Sequence, residues 1–201
     1  YEGACGIKTG FTALAGASFA GACERNGKTY IAVVINSSSE NQRFIDCETL
    51  FDWVFAHQKN YQIINSTETA TVTKDGQEQS VPVVAYVAHE GWIDKTIAAT
   101  VDDPDQTIPL FDLEGNVSQE VEFNKVTEDV RVGDKLGTLT FKQHNEVLAT
   151  VTMVSCEDVA APNMFEGIGI WFQRIYAGFS HEQTSASSVL VNTTPLIIDR
   201  T

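Results

Sequence analysis

Hydrophobic and polar positions along the chain change period twice. Residues 4–36 read as three strands, ACGIKTGFT, SFAGACER and KTYIAVVIN, joined by the small-residue stretch ALAGA and by Asn26-Gly27, a two-residue signal for a tight hairpin. An antiparallel meander is expected. In the third strand IAVVI is apolar at successive positions, which predicts a central strand or one covered by helices. Helical spacing takes over in SSSENQRFIDCETLFDWVFAHQ, where Phe44, Cys47, Phe51 and Val54 form a stripe widened by Leu50 and Phe55. Ser39 and Gln42 fit a capping box, the serine oxygen accepting a backbone N–H and the glutamine reaching back.

From residue 61 the pattern returns to short alternating segments, TATVTK, SVPVVAYVA, TIPLF, EVEFN, GTLTFK and EVLATVTMV. Asp75-Gly76, Asp102 to Asp105, Glu114-Gly115 and Gln143 to Asn145 separate them. Strands at that spacing predict a separate small β-sandwich or barrel over residues 60–161, with its boundary near Gln58 to Tyr61. After Ala160-Ala161-Pro162, NMFEGIGIWFQRIYAGF places Phe165, Ile168, Phe172, Ile175 and Phe179 on one helical face, with Trp171 and Tyr176 at its margins and Glu166, Gln173 and Arg174 elsewhere. A helix over residues 162–179 is too short to span a bilayer; it either lies in a membrane interface or docks on its own β domain. Residues 180–201 are polar with one apolar patch and receive no structural assignment. The expected fold class is α+β.

Composition narrows the function. A chain of 201 residues makes one large domain or two small ones. Its net charge of -14, from 27 acidic against 13 scattered basic residues, excludes a nucleic-acid footprint and argues against simple attraction to anionic lipid. Four dispersed cysteines make no disulfide scaffold and no CxxC metal site. Cys5 and Cys23 either face each other on neighbouring strands and bridge, or remain two buried thiols. His57, His89, His144 and His181 stand apart, without the spacing of metal ligands. Tyr1 follows neither an initiator methionine nor a leader, so the start reads as cut from something longer.

Lys8-Thr9-Gly10 sets a cation, a hydroxyl and a bare backbone on one strand segment, chemistry suited to a carboxylate lying against the main chain. GIKTGFTALAG, then a strand ending in Arg25-Asn26-Gly27, then KTYIAVVINSSSENQRFIDCETLFDWVF, resembles the end of the catalytic domain of the serine-type D-alanyl-D-alanine carboxypeptidases, the low-molecular-mass penicillin-binding proteins. The resemblance runs on, more loosely, through the β-rich segment to the aromatic helix near Trp171.

The resemblance implies that residues 1–59 are the C-terminal portion of a penicillin-binding/β-lactamase-like antiparallel sheet. It implies that Lys8 and Thr9 hold the free carboxylate of a terminal D-alanine, or the equivalent acid group of a β-lactam inhibitor. Gly10 would permit close approach, and the Phe11 backbone N–H would supply half of an oxyanion hole. The reaction implied is acylation of a serine, loss of D-alanine and hydrolysis of the acyl-enzyme, with no cofactor. The family joins three motifs, S-x-x-K, S-x-N and K-T-G. Here no serine stands three residues before any lysine, so the nucleophile is absent and the chain alone is expected to be inactive. Ser39-Glu40-Asn41 follows the Lys8 strand where the family has S-x-N before it, and helix capping accounts for the serine.

The partners implied are a peptidoglycan stem peptide ending in D-Ala-D-Ala, the outer face of the bacterial cytoplasmic membrane through residues 163–179, and a missing N-terminal segment or second copy to cover the open sheet. A serine β-lactamase relative shares the Lys-Thr-Gly strand but has no need of the β domain and helix. A non-catalytic scaffold or membrane-proximal stalk is the alternative of a different kind.

Overall fold

A computed structural model describes residues 1–74, 76–180 and 185–194. Asp75, His181 and the end of the tail lie outside the described residues, as does the side chain of Phe179. The chain divides into two compact units, Tyr1–Lys59 and Asn60–Thr201. The α+β expectation holds: among the described residues the three-stranded and six-stranded sheets are antiparallel and two α-helices accompany them.

In the first unit β1 (Ala4–Thr12), β2 (Gly16–Arg25) and β3 (Lys28–Ser37) form a three-stranded sheet in the order β1-β2-β3. Asn26 and Gly27 both take positive φ, the two-residue turn their sequence predicts, and Arg25 pairs with Lys28 across it. α1 (Gln42–Ala56) packs over β2 and β3 and buries Cys47 and Phe51 against Cys23 and Ala32. The strand IAVVI is therefore an edge, not the centre. Its alternate residues divide between faces: Ala32 is buried under α1, whereas Ile31, Val33 and Ile35 are 66, 60 and 73% exposed on the other side.

The α1 stripe also differs from its sequence pattern. Its buried line runs Arg43, Cys47, Phe51, while Phe44 and Leu50 stay largely exposed. Half of the capping box forms. Ser39 Oγ accepts the Gln42 N–H at 3.0 Å, but the Gln42 amide turns forward to donate to Asp46 Oδ1 at 2.8 Å. Ser37 Oγ donates to Asp46 Oδ2, and these two bonds, Gln42 first, hold that carboxyl below the usual range.

The second unit is built on a six-stranded sheet in the order β10-β11-β12-β8-β7-β13. β7 is Ala85–Ala88, β8 Thr96–Val101, β10 Ser118–Phe123, β11 Lys135–Gln143, β12 Glu146–Ser155 and β13 Val189–Leu190. Two further ladders pair β4 (Gln58–Gln62) with β9 (Thr107–Phe111), and β5 (Thr69–Lys74) with β6 (Gln77–Pro82). Leu139, Phe141, Met153, Ile97, Val87 and Leu110 fill the core. The expected single strand SVPVVAYVA splits into β6 and β7, because Pro82 has no N–H to continue a ladder and Val83-Val84 turn inward, 2 and 0% exposed. β8 escaped the sequence reading, since the small residues of TIAATV carry a weak alternation signal.

Two long-range features complete this unit. α2 (Met164–Ser180) starts at Asn163, whose Oδ1 accepts the Phe165 and Glu166 N–H groups at 3.0 Å while Glu166 returns to the Asn163 N–H at 2.8 Å. The tail, given no structure from sequence, supplies β13 and Asn192, which is 3% exposed. Asn192 Oδ1 accepts the Asn65 N–H at 2.8 Å, and its Nδ2 donates to Ile63 O at 3.0 Å and Gln119 Oε1 at 3.1 Å.

All four cysteines are free thiols. A register shift between Ala4 and Gly6 leaves Cys5 exposed, so it neither bridges to nor is buried with Cys23. Burial pushes the Cys47 thiol up, and burial with the nearby Glu157 charge pushes Cys156 up to about 11. Two outcomes follow. A thiol-disulfide reagent at pH 8 modifies Cys5 rapidly and leaves Cys23, Cys47 and Cys156 protected until the chain unfolds, as peptide mapping will read. Asn192→Ala, which strands the buried Ile63 carbonyl and removes two part-buried bonds to Asn65 and Gln119, lowers stability by about 1–3 kcal/mol in denaturant titration.

Candidate functional site

Lys8, Thr9, Gly10 and Phe11 lie on β1, whose outer edge carries no partner strand in its sheet. Antiparallel register fixes which side each occupies. Lys8 stands opposite Ala20, which stands opposite Val33; Gly6, Ala22 and Ile31 form the neighbouring row. Lys8 therefore shares the face away from α1 with the exposed Ile31 and Val33, across a middle strand of small side chains. Thr9 stands opposite Phe19 on the α1 side and is half-buried. Lys8 and Thr9 thus fall on opposite faces, and what they share is the free edge of β1.

The Lys8 ammonium is exposed and donates to its neighbour's carbonyl, Thr9 O, at 2.7 Å. Gly10 is exposed, and a Cβ built there would meet nothing nearer than Ser18 Cβ at 4.0 Å. Its φ is not in the left-handed region. Neither backbone strain nor packing within the unit demands glycine at this position. Ile7 and Phe11 point to the α1 side yet are 59 and 62% exposed, because α1 packs chiefly over β2 and β3.

One functional candidate was missed in the sequence. Arg43 sits on the buried line of α1, its side chain 9% exposed, and Nη1 donates to Gly10 O at 3.3 Å. Nη2 donates to Glu40 Oε2 at 3.4 Å. The signal was a charged residue one turn before Cys47 on an otherwise apolar stripe. A mainly apolar recess of about 210 Å³ lies between β1–β2 and α1, lined by Gly6, Phe19, Gly21, Phe44, Cys47 and Phe51.

Ser39 is occupied in capping α1, and Glu40 faces Arg43. His89 is fully buried, with one ring nitrogen 3.0 Å from Glu128 O and the other accepting the Gly91 N–H at 3.1 Å. It holds a turn together. Among the described residues no group of His, Cys, Asp and Glu is arranged to hold a metal ion.

α2 contacts its own unit through Ile170 and Ala177, both 8% exposed, and through Arg174, which donates to the carbonyls of Glu90 and Trp92. The opposite face is bare: Phe165, Ile168, Trp171, Phe172 and Ile175 are 84, 52, 58, 61 and 42% exposed. The helix docks, and it docks with its aromatic side outward. Among the described residues no helix is long and apolar enough to cross a membrane.

No protein-family model matches the sequence. The D-alanyl-D-alanine carboxypeptidase DacF of Bacillus subtilis (strain 168) is 24% identical over 164 residues, which span 79% of this chain and 38% of that protein. Among solved structures, the D-alanyl-D-alanine carboxypeptidase DacD from Francisella tularensis aligns with 21% identity and a TM-score of 0.32, over 80% of this chain and 37% of that one. Penicillin binding protein 5 from Haemophilus influenzae aligns with 15% identity and a TM-score of 0.36, over 79% and 43%. The chain is similar in sequence to a D-alanyl-D-alanine carboxypeptidase over most of its own length and well under half of that relative's.

Proposed function

We propose that this chain is part of a serine D-alanyl-D-alanine carboxypeptidase of the bacterial cell envelope, and that β1 is the strand against which the substrate lies. The observation that carries the reading is Gly10, an exposed glycine that neither φ nor packing requires, on a free strand edge next to Lys8 and Thr9. Such an edge takes an extended peptide by main-chain pairing, and glycine lets the guest come close. Lys8 supplies the cation and Thr9 the hydroxyl for a terminal carboxylate, each reaching the edge from its own face. The Phe11 N–H donates to the carbonyl oxygen as it gains charge.

The nucleophilic serine, with the lysine that activates it, belongs to a segment outside residues 1–201, since no S-x-x-K occurs in them. The exposed row Ile31, Val33, Ile35 on the Lys8 side is the surface that segment would cover. The leaving group is D-alanine, and water completes hydrolysis of the acyl-enzyme. β-Lactams enter the same reaction as inhibitors, their acid group taking the place of the terminal carboxylate.

A second role is favoured by the outward aromatic face of α2. This face lies in a membrane interface, where Trp and Phe rings bury their apolar bodies and the helix stays flat. The β unit then acts as a membrane-proximal support on the outer face of the cytoplasmic membrane. For the isolated chain that support is its whole activity.

A fluorescent penicillin tests the catalytic reading. It leaves no covalent adduct on the isolated chain and labels the full-length product of the gene at a serine outside residues 1–201; an adduct on the chain, or none on the longer product, overturns the proposal. In that longer product Lys8→Ala slows labelling by about ten- to a hundredfold, the worth of one charge-assisted hydrogen bond. Gly10→Ala slows it while leaving the unfolding midpoint unchanged or slightly raised. Vesicle flotation tests α2: the chain floats with lipid, and the pair Trp171→Ser and Phe172→Ser abolishes flotation without loss of near-native circular dichroism.

A further inference from the structure

Arg43 is hard to account for as a packing residue. It occupies the buried line of α1 with Cys47 and Phe51, its side chain 9% exposed. Its two hydrogen bonds, 3.3 Å to Gly10 O and 3.4 Å to Glu40 Oε2, are long. Its Nε–H is buried and has no acceptor among the described residues. The guanidinium carbon also sits 5.0 Å from the Phe44 ring centroid, a contact an uncharged side chain replaces in part. A guanidinium so poorly satisfied costs stability relative to an apolar side chain of similar length, because the desolvation is not matched by good hydrogen bonds. Packing alone would favour Met or Leu.

What Arg43 does that Met cannot is hold the carbonyl of Gly10. α1 lies over β2 and β3, and Arg43 carries a hydrogen bond from α1 to β1 at the Lys8–Phe11 segment. β1 has a partner strand on one side only, so its free edge depends on the ladder to β2 and on such side-chain ties for its rigidity. Because the peptide unit is planar, fixing the Gly10 carbonyl also fixes the plane that carries the Phe11 N–H.

We propose that Arg43 is a positioning residue for the Lys8–Phe11 segment: through the Gly10 carbonyl it sets the orientation of the Gly10–Phe11 peptide plane, and with it the direction of the Phe11 N–H. The positioning itself is independent of what the segment binds; its meaning for catalysis rests on the carboxypeptidase reading above. Stability is exchanged here for order at one edge.

Amide hydrogen exchange and thermal unfolding of the 201-residue chain separate this from a structural role. Arg43→Met leaves the melting temperature unchanged or raises it, yet speeds exchange at residues 8–12 by about tenfold relative to β2 and β3, the equivalent of one hydrogen bond. Arg43→Lys, which keeps the charge but not the fork, falls between the two. Uniform acceleration across residues 1–59 with a lower melting temperature identifies Arg43 as structural and overturns the proposal, as does unchanged exchange at residues 8–12. A parallel titration with N-acetyl-D-alanyl-D-alanine, followed by the amide shifts of residues 8–11, tests the site reading separately. If the exchange result holds and the dipeptide moves no shift in the unaltered chain, the substrate reading fails and the positioning stands. If the dipeptide shifts these amides equally in both chains, the positioning fails and the substrate reading stands.

Discussion

A three-stranded antiparallel sheet has two faces and two edges to satisfy, and residues 1–59 bring one helix to it. α1 closes the face over β2 and β3, where Cys23, Ala32, Cys47 and Phe51 make a small apolar core. The face opposite keeps Ile31, Val33 and Ile35 in solvent beside Lys8. Burying a Val or Ile side chain is worth about 1.5–3 kcal/mol, so this row is a standing drive for association with something apolar. The candidate site lies where that uncovered face meets an unpaired edge. A polar motif on a covered strand would have no room for a guest, and an exposed strand without the apolar face would have nothing to draw a second wall over it.

The second unit meets the same problem differently. Its sheet is six strands wide, and the β4–β9 ladder adds Tyr61, Ile108 and Leu110 to its core. α2 lies in sequence between β12 and β13 of the one sheet, and Arg174 ties its middle to the Glu90 and Trp92 carbonyls. A helix held in this way keeps a fixed face outward. Its bare side is consequently a property of the docking, since Ile170 and Ala177 take the inward positions and the rings fall on the opposite side.

Both units carry buried polar side chains that look alike in sequence and differ in kind. Asn192 has its amide fully used, on Asn65, Ile63 and Gln119, and closes the tail onto the sheet. Arg43 is only partly satisfied. A fully bonded buried amide strengthens a fold, while a half-bonded guanidinium weakens one, and the second kind persists where orientation matters more than stability.

The local elements were legible in the sequence because they depend on near neighbours. The Asn26-Gly27 turn follows from two residues that tolerate positive φ, the α1 and α2 spans from helical spacing, and most strands from alternation between turn residues. The position of Lys8-Thr9-Gly10 on a strand was equally local, and the absence of S-x-x-K needed only counting. Strand order was not local. Whether IAVVI sits at the centre or the edge depends on which strands pair, and an apolar run reads the same in both places. The split at Pro82, the return of Val189–Leu190 to β7 and the burial of Asn192 all rest on partners far away in the chain. Arg43 belongs with these, a charge whose purpose appears only when α1 lies across the sheet and brings a guanidinium to a carbonyl 33 positions away. Short-range periodicity encodes the elements, but long-range pairing chooses their neighbours, and a site made at an edge exists only once the edge has been chosen.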